Sequence, residues 1–470
     1  MYFLFFIEFG INLLYNIVNI KNSGDAMKKR RLSHIRIIAL GFLMIVAAGT
    51  LLLMLPFSTC DGKGASFVSA LFTAVSSSCV TGLILHDTAT YWSVFGQIVI
   101  ISLIQLGGLG FMTVSLFAVQ LFHKQTGLRE RALLAESINT ESLGGMRRLV
   151  RIIVTGTIIF ELSGALLFSI RFIPKFGFAK GIYFSIFHSI SAFCNAGFDL
   201  MGGYSGEYSS FTAFSDDILV NTTIMLLIII GGIGFLVWED ILKHRFHFKH
   251  YRLHTKIVLL TTVILIFGGA LILWLFEING INKDMPLKEQ ILTSLFGSVT
   301  ARTAGFNTTD TALLSDSSKL FTSLLMFIGG SSGSTAGGVK TTTIAVILIY
   351  LASFVRGKEP NCFGRKLNDS VLKKAVTVIT INLIFALVGT FVISSTNGIA
   401  VTDSLFEAFS AMGTVGMTTG ITRDLNTLSV LLLAFLMYCG RVGSISFALA
   451  LFEKRSVPPV SYPTENITIG

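Results

Sequence analysis

The chain has 470 residues, of which 52% are hydrophobic and only 13% charged, about half the charged share of a soluble domain. That much apolar surface exceeds what a water-soluble globule hides, and a disordered chain would not carry it, which sets aside soluble enzymes and nucleic-acid binders. The net charge of +10 reads as basic loops beside an anionic membrane leaflet, not as a surface for nucleic acid.

The first 26 residues are apolar but carry Glu8 and several Asn, and they precede Met27-Lys-Lys-Arg-Arg, which has the form of a natural start. They read as an accessory extension, cytoplasmic or interfacial. Apolar runs of about 20 residues, enough to cross a bilayer, then follow near 36–56, 92–120, 150–172, 217–238, 256–278, 318–355, 371–394 and 427–452. Helices are expected throughout, because every backbone polar group must be paired inside lipid. Between each odd run and the next even one lies a shorter, mixed segment that cannot cross. The predicted boundaries are 1–30 for the extension, 31–122 for a first repeat, 123–238 and 239–355 for a cytoplasmic loop plus second and third repeats, 356–453 for a loop plus fourth repeat, and 454–470 for a cytoplasmic tail.

The short segments repeat. Leu71–Leu83, Ile186–Phe198 and Leu405–Met417 align without gaps, and Leu295–Phe306 is one residue shorter. Each ends small-Gly-apolar, with the glycine at Gly82, Gly197, Gly305 and Gly416. A second repeat follows in the even runs: GGLGF from Gly107, GGIGF from Gly231, GGSSG from Gly329 and GRVG from Gly440. A single glycine pair in a membrane helix is an ordinary packing site. Four copies of both motifs in register point to one architecture: span, short non-crossing helix, glycine-ended strand, span.

A short helix leaves backbone groups deep in the membrane, which is tolerated only where they are buried in protein or line water. Four such ends on one axis would form a ring of carbonyl oxygens, able to replace the hydration shell of a potassium ion. Glycine is needed where a Cβ would penalise the turn of carbonyls toward the axis.

Basic residues set the orientation. Those before the first span, in the loops 123–151, 239–256 and 356–374, and at Lys454 and Arg455 lie on one side, while nine, Arg302 among them, fall on the other. The positive-inside rule makes the crowded side cytoplasmic, with both termini inside a cell membrane. The acidic excess on the other side reads either as ordinary solvation or as a field that concentrates cations.

Thr414-Val415-Gly416-Met417 resembles the start of the potassium-channel filter TVGYG. The four span–loop–span repeats in one chain resemble the Trk/Ktr/HKT superfamily of potassium transporters, and the TARTAGFN and GTVG sequences with Arg441 resemble its Ktr type. The resemblance implies an all-α membrane protein of four pseudo-fourfold M1–pore helix–M2 repeats, with eight transmembrane helices and four pore helices around a central ion pore. It implies filter strands at Val80-Thr81-Gly82, Asn195-Ala196-Gly197, Thr303-Ala304-Gly305 and Thr414-Val415-Gly416, with potassium at their carbonyls only. Glycine in all four favours potassium over sodium. It further implies a homodimer docked on a cytosolic ring of nucleotide-binding KtrA- or KtrC-type subunits, membrane lipid as a neighbour, no nucleic acid, no cofactor in this chain beyond the transported potassium, and sodium as a candidate activator.

The third even run breaks at Gly329, Gly330, Ser331, Ser332, Gly333, Ser334, Thr335, Ala336, Gly337 and Gly338, followed by Val339 and Lys340. This composition frays a helix, and Val339 spoils the spacing of a phosphate loop. The resemblance implies an intramembrane gate loop below the filter. Arg441 replaces the second glycine of its motif, and a charge at that depth faces a cavity or a partner; it reads as a positive barrier, as a partner of loop carbonyls, or as both. Lys340 is long enough to snorkel to the cytoplasmic face. Glu161 is expected to pair with an outer-pore polar group or to contact an ion, His188 to be a hydrogen-bonded packing residue, the histidines from His244 to His254 to be solvated, and the five scattered cysteines to be free thiols. Competing readings are an alternating-access cation symporter, a sodium-permeable member of the same superfamily, and an intramembrane enzyme, for which no nucleophile–base or metal constellation is found.

Overall fold

The structure is a computed structural model that describes residues 34–110, 113–114, 116–117, 132–133, 135, 145–245 and 247–443. The expectations for residues 1–30, for most of the loop at 123–144 and for the tail at 454–470 lie outside them.

The odd runs are long continuous helices: α1 (His34–Leu53), α4 (Met146–Phe176), α8 (Leu253–Glu277) and α12 (Asp369–Asn397). Each is followed by a short one: α2 (Phe67–Ser78), α5 (Phe178–Phe193), α9 (Leu287–Thr300) and α13 (Val401–Gly413). The even runs begin as α3 (Val94–Leu109), α6 (Ile218–Gly232), α10 (Asp316–Phe327) and α14 (Thr427–Val442). Four of these starts are written into the sequence as caps. The side chains of Ser93, Asp217, Ser315 and Asn426 accept N–H groups of the first turn, and such a cap contributes about 1 kcal/mol.

The even runs do not continue as straight helices. The second turns by 92° into α7 (Phe235–His244), and the third resumes only as α11 (Thr341–Val355). In the first, second and fourth runs the helix stops at the last glycine of the second motif, whereas the third already ends at Phe327. Gly110, Gly234 and Gly443 have φ of 76°, 98° and 94°, and Gly333 in the third copy has 68°. A left-handed residue cannot continue a right-handed helix. The break in the third was expected from its composition; the bend in the second was not.

The repeats close into a ring. α3 packs on α5, α6 on α9, α10 on α13, and α14 returns to α2, so each inner helix supports the short helix of the next repeat. The Tyr438 hydroxyl donates to the Ala39 carbonyl at 2.6 Å and ties the fourth repeat to the first. The centre is rich in hydroxyls, with Ser76, Ser77, Ser78, Ser189, Ser191 and Ser410 fully buried, whereas Leu166, Ile170, Phe267 and Phe391 on the long helices are exposed. A polar interior inside an apolar rim is the distribution a bilayer demands.

The first glycine of the second motif makes this contact possible. A Cβ at Gly107 would meet the Ser78 carbonyl, one at Gly231 the Phe193 carbonyl, and one at Gly440 the Met412 carbonyl. The first, second and fourth inner helices thus lie directly on the ends of their own short helices, whereas a Cβ at Gly329 in the third would meet the Gly337 carbonyl. Gly231→Val should cost about 3 kcal/mol, the upper end for overpacking, since backbone cannot yield. Gly268→Val, where a Cβ meets nothing within 4 Å, should unfold at the wild-type temperature. Thermal unfolding of both variants in detergent checks this.

Candidate ion pore and its closing loop

Each short helix runs straight into its glycine strand, so the negative end of the helix dipole faces that strand. In every strand the first residue and the glycine are left-handed. Val80, Asn195, Thr303 and Thr414 have φ of 58°, 60°, 75° and 51°, and Gly82, Gly197, Gly305 and Gly416 have 95°, 69°, 82° and 91°. The middle residues Thr81, Ala196, Ala304 and Val415 do not share this sign. Alternating handedness turns successive carbonyls toward the same side of the strand. For β-branched Val80, Thr303 and Thr414 the left-handed region is strained by about 1–2 kcal/mol each, and strain of this kind persists only where the surroundings over-determine it.

The surroundings do so through the N–H groups. Thr81, Ala196 and Val415 donate to the carbonyls of Ser76, Ser191 and Ser410 at 2.8 Å, and Ala304 donates to Thr300 at 2.9 Å. Gly82 and Gly416 donate to the hydroxyls of Ser76 and Ser410 at 3.1 Å. With the donors turned back onto the short helices, the strand carbonyls are left for the other side.

The four strands surround one axis. A Cβ at Gly82 would meet the Ala196 oxygen at 2.5 Å, and one at Gly197 the Ala304 oxygen at 2.6 Å. A Cβ at Gly305 would strike the Val415 oxygen, and one at Gly416 the Thr81 oxygen. The chain of approaches runs from the first repeat to the fourth and back to the first. All twelve strand residues named from the sequence are therefore brought together. Below them Asn195 Nδ2 donates to Thr303 Oγ1 at 3.2 Å, while Asn195 Oδ1, Thr81 Oγ1 and Thr414 Oγ1 are buried without a protein partner.

The segment from Gly329 to Lys340 lies directly beneath. A Cβ at Gly337 would strike the Thr414 hydroxyl, and one at Gly338 would meet Gly413 Cα at 3.1 Å. Backbone bonds hang the loop between two inner helices. Ser331 and Thr335 donate to the Gly232 and Gly231 carbonyls at 2.9 and 3.3 Å, and Gly338 to Gly440 at 3.4 Å. Gly329 donates to Val339 at 2.8 Å and closes the loop at its neck.

Arg441 locks it. Its Nη1 donates to the Thr335 carbonyl and its Nη2 to the carbonyls of Gly107 and Gly108, the latter at 3.1 Å. One guanidinium thereby joins the third and fourth repeats to the end of α3. Lys340 does not run toward the base of the molecule as its length allowed. Its Nζ turns back onto the Ala336 and Gly337 carbonyls at 2.6 and 3.3 Å.

Arg302, counted from sequence only as a basic residue of the outer side, is 6% exposed just past the end of α9, and its Nε has no hydrogen-bond partner. Glu161 pairs with a residue of the first repeat. Its Oε2 accepts from Gln105 Nε2 at 3.3 Å, and its Oε1 is 4.0 Å from Cys194 Sγ. His188 is buried and bonded as expected, its Nδ1–H donating to the Phe184 carbonyl at 2.6 Å and its Nε2 accepting from the Leu200 N–H at 3.0 Å. The sequence reading missed Glu407, fully buried on α13, which accepts from the Thr422 hydroxyl beyond the fourth strand. Its alignment with His188 at the third position of the motif was the available signal. Among the described residues Cys60, Cys79, Cys194, Cys362 and Cys439 are free thiols.

Asp199, two residues past Gly197 and outside the spanning helices, accepts the Met201 N–H at 2.9 Å. Burial lifts its carboxyl to about 7, helped by the Asp87 charge and opposed by the Met201 N–H and the Ser210 hydroxyl. A raised acid destabilises the fold only when ionised, so the cost grows as pH rises from 3.8 toward 7 and is complete above that. Asp199→Asn should therefore raise the unfolding temperature more at pH 8 than at pH 5. Equal gains at both would remove the buried charge as the cause.

The sequence of the chain matches the TrkH cation transport protein family over residues 18–456. The potassium/sodium uptake protein NtpJ of Enterococcus hirae is 40% identical, across 94% of this chain and 99% of its own length. The Ktr system potassium uptake protein B of Bacillus subtilis is 39% identical, across 93% and 96%. The crystal structure of the potassium transporter TrkH from Vibrio parahaemolyticus has the same fold, with a TM-score of 0.71 over 96% of this chain and 97% of that one at 16% identity. Family, relatives and fold agree, and the chain belongs to the TrkH family of cation transport proteins.

Proposed function

We propose that this chain takes up potassium across the cell membrane, through a channel-like pore with a four-strand carbonyl filter and an intramembrane gate loop, as the translocating subunit of a Ktr-type system. The observation that carries the reading is the closed cycle of close approaches among the four strands, from Gly82 through Gly197 and Gly305 to Gly416. A dehydrated monovalent cation needs oxygen ligands from all sides at once, and that cycle supplies them from backbone alone. Thr81, Asn195 and Thr414 add side-chain oxygens that no protein donor occupies.

The loop from Gly329 to Gly338, with Lys340 and Arg441, acts as the gate. Two cationic side chains held against carbonyls beneath the filter raise the energy of a cation passing there. Opening requires the loop to leave Gly231, Gly232 and Gly440, and Arg441 to release Thr335. The positive-inside argument puts the loop-side face and both termini in the cytoplasm. Its basic surface supports docking of a nucleotide-binding ring of the KtrA or KtrC kind onto a homodimer of this chain, and the names of the Ktr-system relatives point the same way. Sodium as an activator belongs to the same reading. The matched relatives are named as transporters, which supports a role without a chemical step.

Gly305→Ser tests the filter. A Cβ there meets the Val415 oxygen at a φ of 82°, so the carbonyl ring must widen. The variant should support growth of a potassium-uptake-deficient bacterium on low potassium far less well than the wild type, and in liposomes should lose about tenfold in preference for potassium over sodium. Retained selectivity would refute the filter. Passive flux down a gradient, without counter-transport, separates a pore from an alternating-access symporter.

Arg441→Ala tests the gate. It frees the carbonyls of Thr335, Gly107 and Gly108 and should raise flux severalfold at unchanged protein abundance. Arg441→Lys keeps the charge but not the fork and should fall between. Flux unchanged in Arg441→Ala and in a deletion of Gly333–Gly338 would remove this gate.

A further inference from the structure

The third position of the short-helix motif is Thr73, His188, Gly297 and Glu407 in the four repeats. In the second and fourth, that side chain braces the segment beyond the filter, His188 against Leu200 and Glu407 against Thr422. In the third, glycine leaves the brace out. A cavity lies there, walled by α8, α9 and the segment after the third filter strand, with an empty volume of about 520 Å³ counting its open mouth. Gly297 lines it, and a Cβ on Gly297 would find only Leu273 Cδ1, at 3.5 Å.

The wall has a consistent chemistry. Ser294, Thr308 and Thr322 line the cavity and are 6%, 5% and 2% exposed. Among the described residues their hydroxyls are neither engaged in a hydrogen bond nor sealed off, so they face the cavity. Asn307 lines it too, with a buried and unpartnered Oδ1. Glu277 supplies one carboxylate, 4% exposed and fixed by the Ser315 N–H at 2.9 Å, the Ser315 hydroxyl at 2.8 Å and the Ile281 N–H at 3.2 Å. No Lys, Arg or His lines the wall. Oxygen donors without a competing cation suit a hard metal ion, and a single carboxylate balances one positive charge.

We infer that this cavity is a second alkali-cation site, separate from the pore and placed against the back of the filter. Phe306 and Met417, the residues that follow Gly305 and Gly416, form part of its wall, and Thr300, another wall residue, holds the Phe306 carbonyl at 2.8 Å. An ion seated there replaces the missing brace and holds the third and fourth filter strands in place. The site goes beyond the pore reading and does not depend on it.

The test is thermal unfolding of the purified full chain in lipid nanodiscs. Sodium chloride and potassium chloride are titrated separately against choline chloride at constant ionic strength. The wild type should show a saturable rise with one of the two ions, and the pair of titrations says which. Gly297→Leu fills the cavity and should shift the midpoint of that rise by about tenfold or more, the cost of losing a charge-assisted contact. Gly268→Val, on α8 but outside the cavity wall, should keep the rise. Should Gly297→Leu fail to fold, Thr322→Val removes one ligand at equal volume and should weaken the midpoint in the same direction, with Thr322→Ser restoring it. The inference is overturned by a wild type that responds to neither ion, by wild-type midpoints in the folded cavity variants, or by loss of the rise in Gly268→Val. A chain that shows the cavity-dependent rise but fails to take up potassium would sink the pore reading and leave this site standing.

Discussion

Each filter strand has its N–H groups tied to the short helix that precedes it, and this one constraint organises the rest of the molecule. Four N–H groups at 2.8–2.9 Å from helix carbonyls leave the strand oxygens with no intramolecular donor, so they face the axis. Holding them there takes left-handed backbone at eight positions, four of them in residues with a side chain. The strain is sustained because the strands are pressed from outside by the inner helices. Those helices come close enough only because Gly107, Gly231 and Gly440 have no Cβ to hold them off the short-helix ends. The two glycine motifs are thus parts of a single device: one shapes the oxygen ring, and the other lets the scaffold reach it.

This logic made the fold readable from sequence at the places where backbone geometry dictates residue type. Glycine at a left-handed position or at a backbone contact has no substitute, so four copies in register survive as a pattern even where the rest of the repeat differs. What sequence hid was anything decided by partners. Arg302 was counted only as a basic residue of the outer side, and the end of α9 carries it inside. Lys340 was given the reach to snorkel, but two carbonyls within its own loop lay closer. Glu161 was expected to pair with an outer-pore polar group or to contact an ion, and its partner proves to be Gln105 on a different repeat. The 92° bend after α6 was missed because Ile233-Gly234-Phe235 is as apolar as a straight helix would be.

Pseudo-symmetry also accounts for what the repeats do not share. The residue before each filter strand is Cys79, Cys194, Arg302 or Gly413, and the bracing position is Thr73, His188, Gly297 or Glu407. In an assembly of four identical subunits each such position would hold one residue, and every corner would be braced alike. A single chain frees each corner to diverge once the glycines are kept. The space at Gly297 and the struts at His188 and Glu407 are therefore alternative solutions to one packing problem behind the strands.

The same freedom accounts for the loop and its arginine. Among the described residues only the third repeat replaces part of its inner helix by such a loop, and only the fourth places an arginine in its glycine motif. The two meet at the Thr335 carbonyl, and Arg441 continues from there to the end of α3. Four loops on a true fourfold axis would collide beneath the filter, and four arginines would repel one another in a space of low dielectric. The carbonyl ends of α3 and of the loop offer the acceptors a lone guanidinium needs. Arg441 is held there by a few hydrogen bonds to backbone and not by an acid, so its release would leave no buried carboxylate unpaired.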